Sequence, residues 1–376
     1  GAPLCAMARG KGNREGAQGI MVNAGFMLLL SGAVLTVLGI AFHRPLLYLF
    51  GASEVTYPYA SSYIVIYLIG TLCVMLSLGL NPYINCQGFA RTGMLTVALG
   101  AAANIVLDPI FIFALHLGVR GAAIATVLSQ FLSAAWVVKF LTSKKAELKL
   151  DFRGFRPDCQ CIQRITVLGI ASFVMSFTDT LVQVACNATL RNFGGDLYIS
   201  VMTVLNSVRQ IAQTPVLAIA DGASTAISYN YGAGLYKRTR DAIRFMTQIA
   251  IGYTMLVWML VSLFPALFIR IFNQDAELVA AAVPALHIYF FGFVMMAFQY
   301  AGQSTFRALG RAKYAVFFSL LRKAFIVVPL TLLLPYCWNL GVSGVFAAEP
   351  VSNCIGGLAC YFTMRHVVMP ELKMEN

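Results

Sequence analysis

The chain has 376 residues, of which 59% are hydrophobic and 11% charged, with a formal net charge of +12 and a mean hydropathy of +0.76. That composition excludes a soluble globular domain of this length: apolar runs of about 18 residues or more recur throughout, as in a polytopic helical membrane protein. The positive charge does not point to nucleic acid, because the basic residues sit in short loops between apolar runs, where membrane topology accounts for them.

In chain order, Gly1 to Ala8 is a short apolar piece with no helix start, and it reads as the tail of a helix running into a basic loop with Arg9, Lys11 and Arg14. Spans are predicted at 20–41, 57–83, 94–116 and 121–141. Residues 142–163 form the longest non-apolar stretch, rich in Lys and Arg, and are expected to link an N-lobe (1–141) to a C-lobe (164–376). Further spans are predicted at 164–191, 199–229, 242–264, 278–306, 314–336 and 342–365. Nine cysteines are scattered along the chain; Cys159 and Cys161 share the linker, with no second pair to complete a metal site.

Twenty of the 27 Lys and Arg residues fall on one side of these spans, and only Arg44, Arg120, Arg191 and Arg270 on the other. The basic side is cytoplasmic, which places 142–163 and the C-terminus inside and Asp108 in the outer half of the membrane. Arg209, Arg322 and Lys323 remain within spans.

The halves repeat. Phe50-Gly51 matches Phe272-Asn273, Tyr67 and Gly70 match Tyr289 and Gly292, and Gly88 before Arg91 matches Gly310 before Lys313, all at an offset of 222. Leu117-Gly118-Val119-x-Gly121 matches Leu340-Gly341-Val342-x-Gly344 at 223, and Gly1-Ala2 matches Gly222-Ala223 at 221. A near-constant offset between spans of the same direction indicates a parallel repeat, hence an all-α protein of two six-helix lobes. The second half runs about sixty residues before reaching Gly222, so the first lobe is expected to lack its first helix and most of its second.

Four acids lie within spans: Asp108, Asp179, Asp221 and Glu349. Asn104 and Asp108 are four apart and share a helix face. Thr126 and Asp108 lie eight to nine residues on either side of the reversal 115–120, so they can meet at one depth. A lone ionised acid here costs about 2.5–3.5 kcal/mol, so it needs partners or a proton. Pro109 loosens the helix beside it. The bland reading is a structural Asp satisfied by Asn104. Asp179 and Glu349 also fall in the outer half, whereas Asp221 suits helix packing or capping. Arg322 and Lys323 either counter-charge an acid or snorkel. Asn81, in the polar break before Pro82, is a pocket donor, and with Glu349 and Arg322 it is assigned to substrate. His287 reads as a satisfied core residue. No catalytic triad, phosphate loop or metal-ligand spacing is present, so no enzyme chemistry and no cofactor are expected.

The stretch QGFARTGM (87–94), with NIVLDPIFIF (104–113) and LGVRGAAIAT (117–126), resembles the fifth and sixth helices of the multidrug and toxic compound extrusion (MATE) family of secondary transporters. SYNYGAG at 228–234 resembles that family's loop after the eighth helix, and AEPVSN at 348–353 its last helix. The resemblance implies two lobes around a central cavity and a cation site of Asn104, Asp108 and Thr126, completed by an Asp from a first helix. It implies an ion-coupling acid at Asp179 and a pocket Asn at Asn81. The last motif usually ends in Asp where this chain has Asn353. The implied function is Na⁺- or H⁺-coupled export of amphipathic, often cationic, organic compounds by alternating access. The coupling ion, with Na⁺ at Asp108 as the sole metal, replaces any cofactor. The expected partners are small-molecule substrates and the lipid bilayer, with no nucleic acid, in a monomer of a bacterial plasma membrane. The alternatives are a lipid-linked saccharide flippase, whose cavity would be lined by several Arg or Lys, and a membrane-embedded enzyme.

Overall fold

The computed structural model describes residues 1–49, 54, 56–337 and 340–374. The Phe50-Gly51 member of the repeat lies outside the described residues. The chain forms two compact units, Gly1–Ile165 and Thr166–Asn376.

The first unit comprises α1 (Ala2–Gly10), α2 (Arg14–Leu49), α3 (Tyr57–Ile69), α4 (Thr71–Cys86), α5 (Ala90–Pro109) and α6 (Gly118–Thr142). The helix of α5 continues as a π-helical stretch, Ile110–Ala114, closed by Leu115 N–H donating to Ile110 O at 2.9 Å. The widening follows Pro109, whose ring nitrogen offers no hydrogen to the helix. Cys5, Met21, Leu80, Ile84, Val137 and Leu141 form the centre of the core. Leu148 and Leu150 join it. Both lie in the non-helical segment after α6 and fasten it to this unit. Leu148 N–H donates to Gln87 Oε1 at 2.9 Å, and Arg14 Nη2 to Glu147 O at 2.6 Å.

The second unit contains most of α7 (Cys159–Gly232), then α8 (Tyr236–Leu263), α9 (Pro265–Arg270), α10 (Ala276–Phe290), α11 (Met295–Ala308), α12 (Ala312–Leu320), α13 (Val328–Leu333) and α14 (Val342–Met374). A second π-helical stretch, Leu321–Val327, joins α12 to α13. Its core is built from Leu190, Val201, Leu205, Leu286, Phe290 and Phe346, among others. The seven-residue gap predicted between the spans 164–191 and 199–229 is instead a single-residue break in α7. Gly195 has φ 66° and ψ −163°, a region a Cβ essentially forbids.

The repeat is visible in backbone geometry. The pair α3 and α4 bends by 51° at Gly70, and α10 and α11 also bend by 51°, around Gly292. Gly118 opens α6 with φ 53°, and Gly341 immediately precedes α14 with φ 52°. One turn on, a Cβ at Gly121 would lie 2.5 Å from Phe111 O, and one at Gly344 would lie 2.7 Å from Leu334 C. In both units this glycine lets a helix start pack against the end of the element before it.

Among the described residues six helices are long and apolar enough to cross a membrane, and the two bent pairs also pass as single spans. The span predicted at 342–365 does not pass that test as α14, because Glu349, Pro350 and Asn353 lower its hydropathy. Large exposed side chains such as Ile105, Phe113, Phe173 and Phe325 suit lipid rather than water.

Candidate functional site

In the first unit, α5 places Asn104 and Asp108 one turn apart, and Asn104 Nδ2 donates to Asp108 Oδ1 at 3.2 Å. Both are half-buried, and among the described residues no Lys or Arg pairs with Asp108. The acid sits immediately before Pro109 and the π-helical stretch, a backbone irregularity that often marks functional positions. Thr126 on α6 donates its hydroxyl to Ala122 O in its own helix at 2.9 Å, and no hydrogen bond joins it to Asp108. Asn81 stands on α4 with its Oδ1 buried and without a partner. A Cβ on Gly93 would come within 3.3 Å of that oxygen, so the small residue on α5 leaves it room.

The second unit gathers more charge. Arg322 and Lys323 are neighbours in the π-helical stretch, so their side chains diverge by roughly 90–100°. Arg322 reaches α14: Nη1 donates to Glu349 Oε1 at 3.1 Å and also bonds Asn353 Oδ1. Gly356 leaves room for its stem, since a Cβ there would lie 2.8 Å from Arg322 Cγ. Lys323 turns to α7 and pairs with Asp179. Arg209, from α7, places Nη2 2.6 Å from the same Glu349 oxygen. Its Nη1 donates to Tyr289 Oη at 2.7 Å, and Tyr289 donates to Asn206 Oδ1 at 2.9 Å. The Arg209 guanidinium also lies 5.5 Å from the centre of the Tyr289 ring. Two guanidiniums thus converge on one buried carboxylate oxygen.

Part of this cluster borders a cavity of about 370 Å³, lined among others by Asp179, Gln183, Asn206, Arg209, Lys323 and Glu349. A second cavity, of about 200 Å³, shares Ser176, Asp179, Gln213 and Lys323 and adds Gln299, Arg307 and Arg322.

Of the residues assigned from sequence, Asn104 and Asp108 are hydrogen-bonded, with Thr126 and Asn81 on neighbouring helices of the same unit. Asp179, Glu349 and Arg322 share one cluster in the second unit. Arg322 and Lys323 each pair with an acid, so counter-charging, not snorkelling, describes them. Asp221 is ion-paired with Arg307 at 3.2 Å. His287 is exposed, not in the core, and its two ring nitrogens lie 3.0 Å from Val283 O and 3.1 Å from Ser262 O. Sequence reasoning missed Tyr289, Asn206 and Arg307 as part of this cluster. Tyr289 had a signal as a repeat marker with Gly292, and Arg209 as a charge within a span.

The MatE family profile matches residues 1–110 and 171–333. The chain is similar to an FAD transporter of Shewanella oneidensis, 24% identical over 371 residues, spanning 96% of this chain and 80% of that protein. It is similar to the multidrug export protein MepA of Staphylococcus haemolyticus, 23% identical over 335 residues, spanning 89% and 73%. Among solved structures, a crystal structure of MATE in the bent conformation superimposes with a TM-score of 0.93 at 22% identity, covering 100% of this chain and 83% of that one.

Proposed function

The chain belongs to the MatE family, and from that premise we propose that it exports small amphipathic organic compounds, often cationic, across a bacterial plasma membrane by ion-coupled antiport. The observation that carries the coupling step is the Asn104–Asp108 pair: a half-buried carboxylate, hydrogen-bonded by an amide and with no basic partner among the described residues. Such a group holds either a proton or a bare cation. In this reading Asp108 takes Na⁺ or H⁺ from outside, Asn104 and Thr126 supply neutral oxygens, and Asp179 is a further acid of the coupling path. Asn81, Glu349 and Arg322 contact the substrate. Ion binding favours the outward-open state, and substrate binding from inside the other, which is alternating access. The basic loop 142–163 and the C-terminus face the cytoplasm, and the transporter acts as a monomer.

A second reading has one observation in its favour. A flippase or exporter of anionic compounds needs a cavity lined by Arg and Lys, and the second unit's cavities carry Arg209, Arg307, Arg322 and Lys323. The relative named an FAD transporter points the same way.

The test uses the full-length protein in proteoliposomes, with Na⁺ and pH gradients imposed separately and ethidium as the reporter. Export driven by one gradient and abolished in Asp108→Asn is expected. Export that ignores both gradients would overturn the coupling assignment.

A further inference from the structure

We propose that the two adjoining cavities of the second unit, which share Ser176, Asp179, Gln213 and Lys323, together bind the anionic group of a transported compound, a phosphate or carboxylate borne on a small apolar or aromatic body. This names a substrate class for the exporter and rests on the second reading above, in which the transported compound is anionic.

The first observation is a charge imbalance. The larger cavity is balanced, Arg209 and Lys323 against Asp179 and Glu349, and the smaller one adds Arg307 and Arg322 against Asp221, so among the described residues the joint lining carries four cations and three carboxylates. A cationic ligand would enter against an excess positive charge; an anion would neutralise it.

The second observation is an excess of donors. The Nε atoms of Arg209, Arg307 and Arg322 are buried without a hydrogen-bond partner. Gln299, 2% exposed and lining the smaller cavity, has its Nε2 donor unpartnered, as well as its Oε1 acceptor. Buried polar groups left unpaired are costly, and cationic donors more so than neutral ones. Ligand oxygens in the shared region around Lys323 would relieve that shortage.

The third observation separates the two resident acids. Glu349 is fixed between two guanidiniums with a side chain 6% exposed. Asp179 holds Lys323, yet its own side chain is 59% exposed while that of Lys323 is 10% exposed. Asp179 is therefore the exchangeable anion. An entering phosphate or carboxylate takes over Lys323 and reaches Arg209, while Asp179 swings into the open part of the cavity. The exchange leaves no buried cation unpaired at any stage, which is the condition for anion entry into a site of low polarity. Gln183, Asn206 and Gln213 supply neutral polar contacts, and Val182, Met202 and Tyr289 receive the apolar body. A volume of about 370 Å³ accommodates a single aromatic ring with its anionic group.

The experiment measures equilibrium binding with no gradient, on the whole chain in phosphatidylcholine nanodiscs. The soluble probe is radiolabelled phenyl phosphate, with trimethylphenylammonium as a cation of similar size. Saturable phenyl phosphate binding that the cation does not compete is expected. Arg209→Gln and Lys323→Gln should weaken it by about tenfold or more, as loss of a charge-assisted contact does. Those variants leave a carboxylate without its cation, and Asp179→Asn leaves Lys323 without its anion, so all three are assayed on the monodisperse fraction, in which Asp179→Asn should tighten binding several-fold. Phosphatidylglycerol added to the nanodiscs tests the other source of the same chemistry. Loss of phenyl phosphate binding when that lipid is added identifies a headgroup, and binding that the lipid leaves unchanged identifies a soluble ester. Binding of neither, equal binding of the cation, or unchanged or weaker binding in Asp179→Asn overturns the proposal. Gradient-driven ethidium export without anion binding would sink this inference and leave the export reading standing. Anion binding without any export would do the reverse.

Discussion

Glu349 shows what one buried charge costs and secures. Its carboxylate is enclosed with two guanidiniums on one oxygen, Arg209 at 2.6 Å and Arg322 at 3.1 Å. Glu349→Gln removes the counter-charge of both, and breaking a buried pair from one side typically costs about 3–5 kcal/mol. A lower unfolding temperature in detergent is expected, and an unchanged one would show that the cluster contributes little to stability. Asp108 predicts the opposite division. In Asp108→Asn the amide oxygen still accepts from Asn104 Nδ2, so folding and membrane level should be normal, while ion-driven export falls at least tenfold. Efflux assays at matched membrane level check this, and undiminished export would remove Asp108 from coupling.

At the scale of the element, helix starts and breaks depend on a few glycines. Gly121→Val and its repeat counterpart Gly344→Val would each drive a side chain into backbone that cannot yield, Phe111 O in one unit and Leu334 in the other. Overpacking of this kind costs about 1–3 kcal/mol or more. Both variants should lose folded protein, measured as the monodisperse fraction after extraction; a harmless Gly344→Val would show that the two glycines are not equivalent. Gly195→Ala tests the break in α7. Nothing crowds its Cβ position, so only the backbone conformation at φ 66° opposes the change, at about 1–3 kcal/mol. A modest fall in thermal stability is expected, smaller than for the crowded positions.

For the whole molecule, orientation is the testable quantity. Cys159 is exposed at the start of α7 beside the basic segment, and Cys337 is exposed between α13 and α14. With the basic side cytoplasmic, an impermeant maleimide applied to intact cells should label Cys337 and spare Cys159, and inside-out vesicles should give the reverse. Labelling of Cys159 from outside would invert the topology.

The sequence by itself determined the class, the repeat and the pairing of Asn104 with Asp108. Each rests on local or periodic information: hydropathy over one span, a constant offset of glycines, a separation of four on one helix. The positive-φ starts at Gly118 and Gly341 and the matched 51° bends follow from residues already legible in the chain. Tertiary structure decided the rest. Thr126 could meet Asp108 by depth alone, but its hydroxyl bonds Ala122 O within its own helix. Leu148 and Leu150 lie in a segment read as a linker, and only packing shows them in a core. Arg209, Tyr289, Glu349 and Lys323 are up to 170 residues from Asp179 on a chain of 376, and no spacing rule joins them. They meet because a π-helical stretch turns two adjacent cations toward α14 and α7, and burial then makes each charge seek a partner.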